Sequence, residues 1–89
     1  PVLRTLTHLP IMIDPSHATG YSQYVPTMAK ASVAVGTDSL MIEVHPDPKV
    51  ALCDGPQSLT PTDYMELMHD INSLAQFVGR GQSFTNYIP

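Results

Sequence analysis

The sequence has little charge and no tryptophan. Asp, Glu, Lys and Arg make up 13% of its 89 residues, about half of the roughly 25% found in an average soluble domain. A small domain exposes proportionally more surface, so it is expected to carry more charge rather than less. The deficit indicates surface that further protein covers. The first residue is Pro1 rather than Met, so we expect an incomplete chain.

Basic residues, cysteines and long apolar runs are also scarce. The basic residues Arg4, Lys30, Lys49 and Arg80 are scattered, and the net charge is −4. Nucleic-acid binding needs a basic patch, so that class is excluded. No apolar run approaches the ~18 residues of a membrane span, and no signal peptide is recognisable. A single cysteine, Cys53, excludes an internal disulfide and fits a reducing, cytoplasmic compartment.

Two apolar segments are typical of buried strands. Leu9–Asp14 contains a continuous apolar run of the kind found in parallel sheets. Ser39–His45 alternates, so that one face is apolar and the other ends in Glu43 and His45.

Helices are predicted before, between and after these strands. Val2–Thr7 is expected to be the last turn of one helix. Tyr24–Val35 is the second, with Pro26 in its first turn. Its weak apolar stripe consists of Met28, Ala31, Ser32 and Val35. The third starts after the cap Thr60 and has apolar residues at helical spacing from Tyr64 to Val78, with Gly79 and Gly81 ending it.

The order of elements predicts an α/β fold. Asp14–Gly20 and His45–Leu59 are predicted to be loops, because both are rich in turn-forming residues. A strand, a helix and a second strand then form a βαβ unit with parallel pairing. Two strands make an incomplete sheet, whereas a (β/α)8 barrel needs about 250 residues. The chain could supply two of the eight β/α units of such a barrel.

Three potential metal ligands follow the predicted strands. His17 lies just beyond the first strand, Glu43 near the end of the second, and Asp54 in the loop after it. Active sites of (β/α)8 enzymes lie at the carboxyl ends of the strands, and an imidazole with two carboxylates suits Mn, Fe, Co or Zn. From spacing alone, His17 could equally be a surface or hydrogen-bonding residue. Glu43 could be exposed or ion-paired, and Asp54 a turn residue before Gly55.

Other polar residues near these strand ends receive lesser roles. Asp14 and His45 are expected to be active-site scaffold. Asp47 is interpreted as a solvated turn residue between prolines, and Cys53 as a bystander thiol.

Three motifs resemble those of a known enzyme family. They are Asp14-Pro15-Ser16-His17, Glu43-Val44-His45-Pro46-Asp47-Pro48 and Asp54-Gly55-Pro56-Gln57-Ser58-Leu59. In this order they resemble the closing motifs of the type I 3-deoxy-D-arabino-heptulosonate 7-phosphate (DAHP) synthases, which condense phosphoenolpyruvate with erythrose 4-phosphate and release phosphate. The resemblance implies that residues 1–81 are the C-terminal two β/α units of a (β/α)8 TIM barrel. Residues 82–89 would be a C-terminal tail.

The resemblance also implies a metal site. His17, Glu43 and Asp54 would be three ligands of one catalytic divalent metal, with His17 and Asp54 as catalytic residues. The fourth ligand of the family, a cysteine near the start of the barrel, is not in this chain, because Cys53 stands in the wrong place. The metal would polarise the aldehyde of erythrose 4-phosphate, and Asp54 could also orient a substrate hydroxyl or the water. A cytoplasmic homo-oligomer that binds neither nucleic acid nor membrane is expected.

Two phosphorylated substrates require several Arg or Lys residues, and only Lys49 lies at the appropriate end of a strand. We therefore predict that the 89 residues alone are inactive.

One alternative is the sister enzyme 3-deoxy-D-manno-octulosonate 8-phosphate synthase, which uses arabinose 5-phosphate. The Asp14-Pro15-Ser16-His17 motif and Gln57 favour the heptulosonate enzyme over it. The other alternative is a non-catalytic βαβα fragment that associates with itself through exposed strand edges.

Overall fold

Residues 1–80, which the computed structural model describes, form four α-helices and two short strands. In chain order these are α1 (Val2–Leu6), β1 (Met12–Ile13), α2 (Pro15–Thr19), α3 (Val25–Val35), β2 (Ser39–Leu40) and α4 (Pro61–Phe77). Short 3-10 turns lie at Ser22–Tyr24, Pro48–Val50 and Gly55–Gln57. The predictions for Gly81 and for the tail at residues 82–89 lie outside the described residues. None of the described helices is long and apolar enough to cross a membrane.

The two strands pair in parallel, which confirms the predicted α/β fold with a small parallel sheet. In the register, Met12 lies opposite Ser39 and Ile13 opposite Leu40. Beyond β2, an isolated parallel bridge joins Val44 to Leu59. The segment that precedes α4 therefore lies alongside the chain just beyond β2.

Both strands are shorter than Leu9–Asp14 and Ser39–His45, the ranges predicted from the sequence. Pro10 and Pro15 flank β1, and a proline has no N–H to donate to a ladder. Pro15 also begins α2 directly, so the chain turns away from β2 after Ile13. Pairing with β1 therefore stops near Leu40, and the rest of the apolar run lies outside the ladder.

The predicted loop at Asp14–Gly20 is wrong, because Pro15–Thr19 forms α2. Asp14 is its N-cap, with Oδ1 accepting a hydrogen bond from the backbone N–H of His17 at 2.9 Å. Pro15 occupies the first helical position, where its missing N–H costs nothing. Gly20 ends the helix in the left-handed conformation, at φ 73°. These start and stop signals stand in the sequence, but the helix between them is too short to show apolar periodicity.

The core lies between α3 and α4. Its buried apolar residues are Val25, Ala29, Val33, Leu59, Leu67, Ile71 and Ala75, and Leu40 and Ile42 pack against them. The third helix predicted from the sequence is confirmed as α4. Thr60 caps α4, its Oγ1 accepting from the N–H of Asp63 at 3.1 Å, and the predicted stripe supplies the buried face. Val78, its last member, is the exception, because its side chain is exposed (38%).

The second helix is confirmed at Val25–Val35, but its predicted stripe is wrong. Of the four stripe residues only Ser32 is buried, and Met28 and Val35 are 45% and 51% exposed. Apolar and small residues stand all around α3, so its composition does not determine which face packs. Contact with α4 selects the face of Val25, Ala29 and Val33 instead.

At the amino end of β2, Asp38 connects three parts of the chain. Its Oδ2 lies 2.8 Å from a guanidinium nitrogen of Arg4, in α1, and accepts from the N–H of Ile11 at 2.8 Å. Its Oδ1 accepts from Arg80 at 2.7 Å. The hydrogen bond from Arg80, followed by those from Ile11 and Arg4, holds the pKa of Asp38 far below its usual range.

Candidate metal centre

Helix α2 orients the imidazole of His17. The carboxylate of Asp14 caps α2 through Oδ1, and its Oδ2 lies 2.6 Å from His17 Nδ1. One side chain thus determines both the start of the helix and the direction of the ring. A carboxylate on one ring nitrogen is the usual way in which proteins orient a metal-binding histidine. That Asp14 is active-site scaffold stays a prediction.

The other ring nitrogen of His17 faces the two remaining candidates. His17 Nε2 lies 3.2 Å from Asp54 Oδ2 and 3.9 Å from Glu43 Oε1. One nitrogen or oxygen atom from each of the three side chains lies within 4.8 Å of the others. The structure therefore brings together the three residues that the sequence separates by 26 and 11 positions.

A buried serine holds Glu43 beside α2. Ser16 is fully buried, and its Oγ accepts a hydrogen bond from the backbone N–H of Glu43 at 2.9 Å. The carbonyl of Glu43 accepts from the N–H of Leu59 at 2.9 Å. The backbone of Glu43 is thus bound to α2 through its N–H and to the segment before α4 through its carbonyl.

A sharp turn presents Asp54 to the cluster. Asp54 has φ 56° and ψ 20°, in the left-handed region that Asp tolerates better than most residues. The carbonyl of Asp54 accepts from Ser58 Oγ at 2.6 Å, and its Oδ1 accepts from Gln57 Nε2 at 2.9 Å. Gly55 is buried, and a Cβ at that position would lie 2.5 Å from the carbonyl oxygen of Pro48. Only glycine therefore allows the two turns of this loop to pack so closely.

The electrostatics of the cluster favour a positive charge at its centre. Three carboxylates, those of Asp14, Glu43 and Asp54, surround the single imidazole of His17, and within residues 1–80 no lysine or arginine is ion-paired with them. Hydrogen bonds to Asp14 and then to Asp54 raise the pKa of His17 above 6.5, although burial acts in the opposite direction. The side chains of His17, Glu43 and Asp54 are 44%, 37% and 36% exposed, so a small ligand can reach them.

Other predicted residues lie outside this cluster. His45 Nδ1 accepts from the N–H of Asp47 at 2.9 Å, and within the described part of the chain no hydrogen bond joins its ring to the three candidate ligands. Asp47 in turn caps the Pro48–Val50 turn through the N–H of Lys49. Cys53 is an exposed free thiol.

Sequence reasoning missed the roles of Ser16 and Gln57. Both stand inside the quoted motifs, yet Ser and Gln are common in loops, and nothing in the pattern marks them as partners of Glu43 and Asp54. Only the contacts of the folded chain identify them.

Comparison with known proteins identifies the family. A family model described as the DAHP synthetase I family matches residues 1–78. The chain is 42% identical over 79 residues to a phospho-2-dehydro-3-deoxyheptonate aldolase of Thermotoga maritima, covering 89% of this chain and 23% of that protein. It is 36% identical over 77 residues to a 2-dehydro-3-deoxyphosphooctonate aldolase of Desulfosudis oleivorans, covering 74% of this chain and 27% of that protein.

A solved structure supports the same assignment. The truncated form of 3-deoxy-D-arabino-heptulosonate 7-phosphate synthase from Thermotoga maritima matches with a TM-score of 0.88 at 41% identity, over 90% of this chain and 30% of that structure. The chain belongs to the DAHP synthetase I family, as its motifs predict. It spans about a quarter of the length of the two curated relatives.

Proposed function

We propose that this chain supplies part of the active site of a DAHP synthase, which condenses phosphoenolpyruvate with erythrose 4-phosphate and releases phosphate. The observation that carries the proposal is the convergence of His17, Glu43 and Asp54 in a chain of this family. Residues 1–81 would form the last two β/α units of its (β/α)8 barrel, with residues 82–89 as the tail.

The donor set fits one divalent metal ion. Ligands about 2.1 Å from a tetrahedral metal are themselves about 3–4 Å apart, and the distances of 3.2 and 3.9 Å from His17 Nε2 fall in this range. One imidazole and two carboxylates suit Mn, Fe, Co or Zn. His17, Glu43 and Asp54 would hold the ion, together with a cysteine from another part of the barrel. When bound, the ion would supply Lewis-acid activation of the erythrose 4-phosphate aldehyde.

The chain's own residues would prepare this site for chemistry. In the neutral imidazole of His17, a proton on Nδ1 donated to Asp14 would leave the Nε2 lone pair for a metal ion. The partly exposed carboxylate of Asp54 would orient a substrate hydroxyl or the water that attacks during the reaction. We therefore assign His17 and Asp54 as catalytic residues, and Asp14 as their support. His45 stays a predicted scaffold residue, through its contact with Asp47.

The substrate phosphates need basic groups that these 80 residues do not concentrate near the site. Arg4 and Arg80 are engaged by Asp38, and Lys30 by Asp70. Lys49, in the loop after β2, is left to reach a substrate. We therefore expect the 89-residue polypeptide alone to be inactive and the remaining cations to come from other parts of the barrel.

The test is a metal-dependent assay of the full-length protein. We expect product from phosphoenolpyruvate and erythrose 4-phosphate, loss of activity on chelation, recovery with Mn²⁺, and no recovery in His17→Ala. Activity that survives complete chelation would overturn the metal proposal. Faster turnover of arabinose 5-phosphate would instead favour the octulosonate enzyme, the second candidate, which the 36% identity to such an aldolase supports.

We also propose that the full enzyme is a cytoplasmic homo-oligomer without nucleic-acid or membrane partners. Exposed apolar side chains on and after α1, among them Leu6 (74%) and Leu9 (58%), support the inference that further protein covers this surface. Intact mass and light scattering test it. A mass near 9.7 kDa with self-association would favour the non-catalytic fragment instead.

A further inference from the structure

The amide of Gln57 binds one oxygen of Asp54 and leaves the other for the cluster. Gln57 Nε2 donates to Asp54 Oδ1 at 2.9 Å, while Asp54 Oδ2 lies 3.2 Å from His17 Nε2. We propose that Gln57 is a positioning residue, which determines the orientation of the Asp54 carboxylate and thereby the affinity of the site for a divalent metal. This inference rests on the function proposed above.

The backbone alone does not determine this orientation. Gly55 and the hydrogen bond from Ser58 Oγ hold the main chain of Asp54 in place. The carboxylate can still rotate about two side-chain torsions, and it is 36% exposed, so water competes for both oxygens. Ordering such a side chain at the moment of binding costs free energy. The hydrogen bond from Gln57 orders it beforehand.

The other two candidate ligands also have hydrogen-bonding partners, of which the one on His17 acts on the side chain and the one on Glu43 acts on the backbone. Asp14 orients the ring of His17, and Ser16 holds the backbone of Glu43. Gln57 is the counterpart for Asp54, and it comes from the same loop, three residues further on. The side chains of His17 and Asp54 and the backbone of Glu43 are thus held before a metal binds, and partners of this kind generally orient metal ligands.

The test is titration of the metal-free full-length protein with Co²⁺, followed by visible absorption. Gln57→Met keeps the length of the side chain and removes the donor, and Gln76→Met is the control on the exposed side of α4. We expect Gln57→Met to bind Co²⁺ about 10-fold more weakly or worse, with an altered spectrum and an unchanged Tm of the metal-free protein. Gln76→Met should match the wild type in all three measurements.

If Gln57→Met does not fold, Gln57→Asn replaces it, because its amide is one methylene too short to reach Asp54 from the same backbone. Wild-type Co²⁺ affinity and spectrum in a folded variant would overturn this inference and leave the proposed function standing. A weaker affinity that merely follows a lower Tm would also overturn it, in favour of a packing role. Failure of the wild-type protein to bind Co²⁺ or Mn²⁺ would overturn both the inference and the metal site itself.

Discussion

The two ends of the β1–β2 pair carry opposite charge balances. At the amino end, one carboxylate, Asp38, lies between the guanidinium groups of Arg4 and Arg80 at 2.8 and 2.7 Å. At the carboxyl end, three carboxylates surround the imidazole of His17, and the candidate ligand atoms stand up to 4.8 Å apart.

The two ends therefore differ in what they contribute, with the amino end contributing to stability and the carboxyl end to binding. The charge of Asp38 is matched by Arg4 and Arg80, so the amino end stabilises the fold. The carboxyl end has unmatched negative charge, which costs stability until a cation arrives. In (β/α)8 enzymes the amino ends of the strands serve stability and the carboxyl ends serve catalysis. The charges of this chain follow that division.

The largest effect is expected from Asp54→Asn, which removes a negative ligand from the carboxyl end. Metal affinity and the proposed synthase activity of the full-length protein should fall at least about 100-fold, because a metal ion contributes several kcal/mol to such a transition state. The Tm of the metal-free protein should stay or rise, since carboxylate repulsion is relieved. Asp47→Asn, in the same loop, is the control, and a loss of equal size there would contradict the assignment.

The carboxyl end should also respond to pH through His17. Only the neutral imidazole binds a metal, so affinity should fall about tenfold per pH unit once the pH drops below the raised pKa. In the metal-free protein, the stability that His17 contributes changes with pH in the opposite direction to metal affinity. The stability gained from protonated His17 is complete below pH 6.5 and is lost as the pH rises through the raised pKa. Chemical denaturation of wild type and His17→Gln at about pH 6 and pH 8 measures this, and a larger difference at pH 8 would contradict it.

At the amino end, Asp38→Ala should lower the Tm and leave metal affinity unchanged. The variant leaves Arg4 and Arg80 without their shared partner and the N–H of Ile11 without its acceptor. Because the pKa of Asp38 is lowered by folding, its contribution should be present above the usual carboxylate range and disappear on acidification. Thermal unfolding at several pH values tests this.

Asp70→Ala is the matched control for Asp38→Ala. It breaks the ion pair with Lys30, whose two side chains are 53% and 42% exposed, and such surface pairs contribute little. A Tm loss as large as that of Asp38→Ala would contradict the special role of the amino end.

A smaller effect on metal affinity than that of Asp54→Asn is expected from Gly55→Ala, which tests the loop contact at the carboxyl end. The new Cβ would meet the Pro48 carbonyl oxygen at 2.5 Å, so the loop must shift at a cost of about 1–3 kcal/mol, together with weaker metal binding. Gly79→Ala, at a left-handed glycine with no atom within 4 Å of the new Cβ, should lose stability but keep metal affinity. Equal metal affinities in the two variants would argue against the loop contact.

The sequence predicted most of the architecture because its strongest signals are local. The cap at Thr60 and the apolar spacing of α4 give that helix to within one residue, and the strand–helix–strand order gives the parallel pair. It missed α2, whose five residues are too few for a periodicity, and the packed face of α3, which contact with α4 determines.

By itself, the sequence determined the α/β class, the family and the three candidate ligands, because caps, apolar runs and long motifs are written in consecutive residues. The tertiary structure alone decided which groups meet across the chain. It placed Ser16 beside Glu43, Gln57 beside Asp54, and Asp38 between Arg4 and Arg80. All but the Gln57 contact join residues at least 27 positions apart. Such contacts depend on the packing of several elements at once, so no local pattern encodes them.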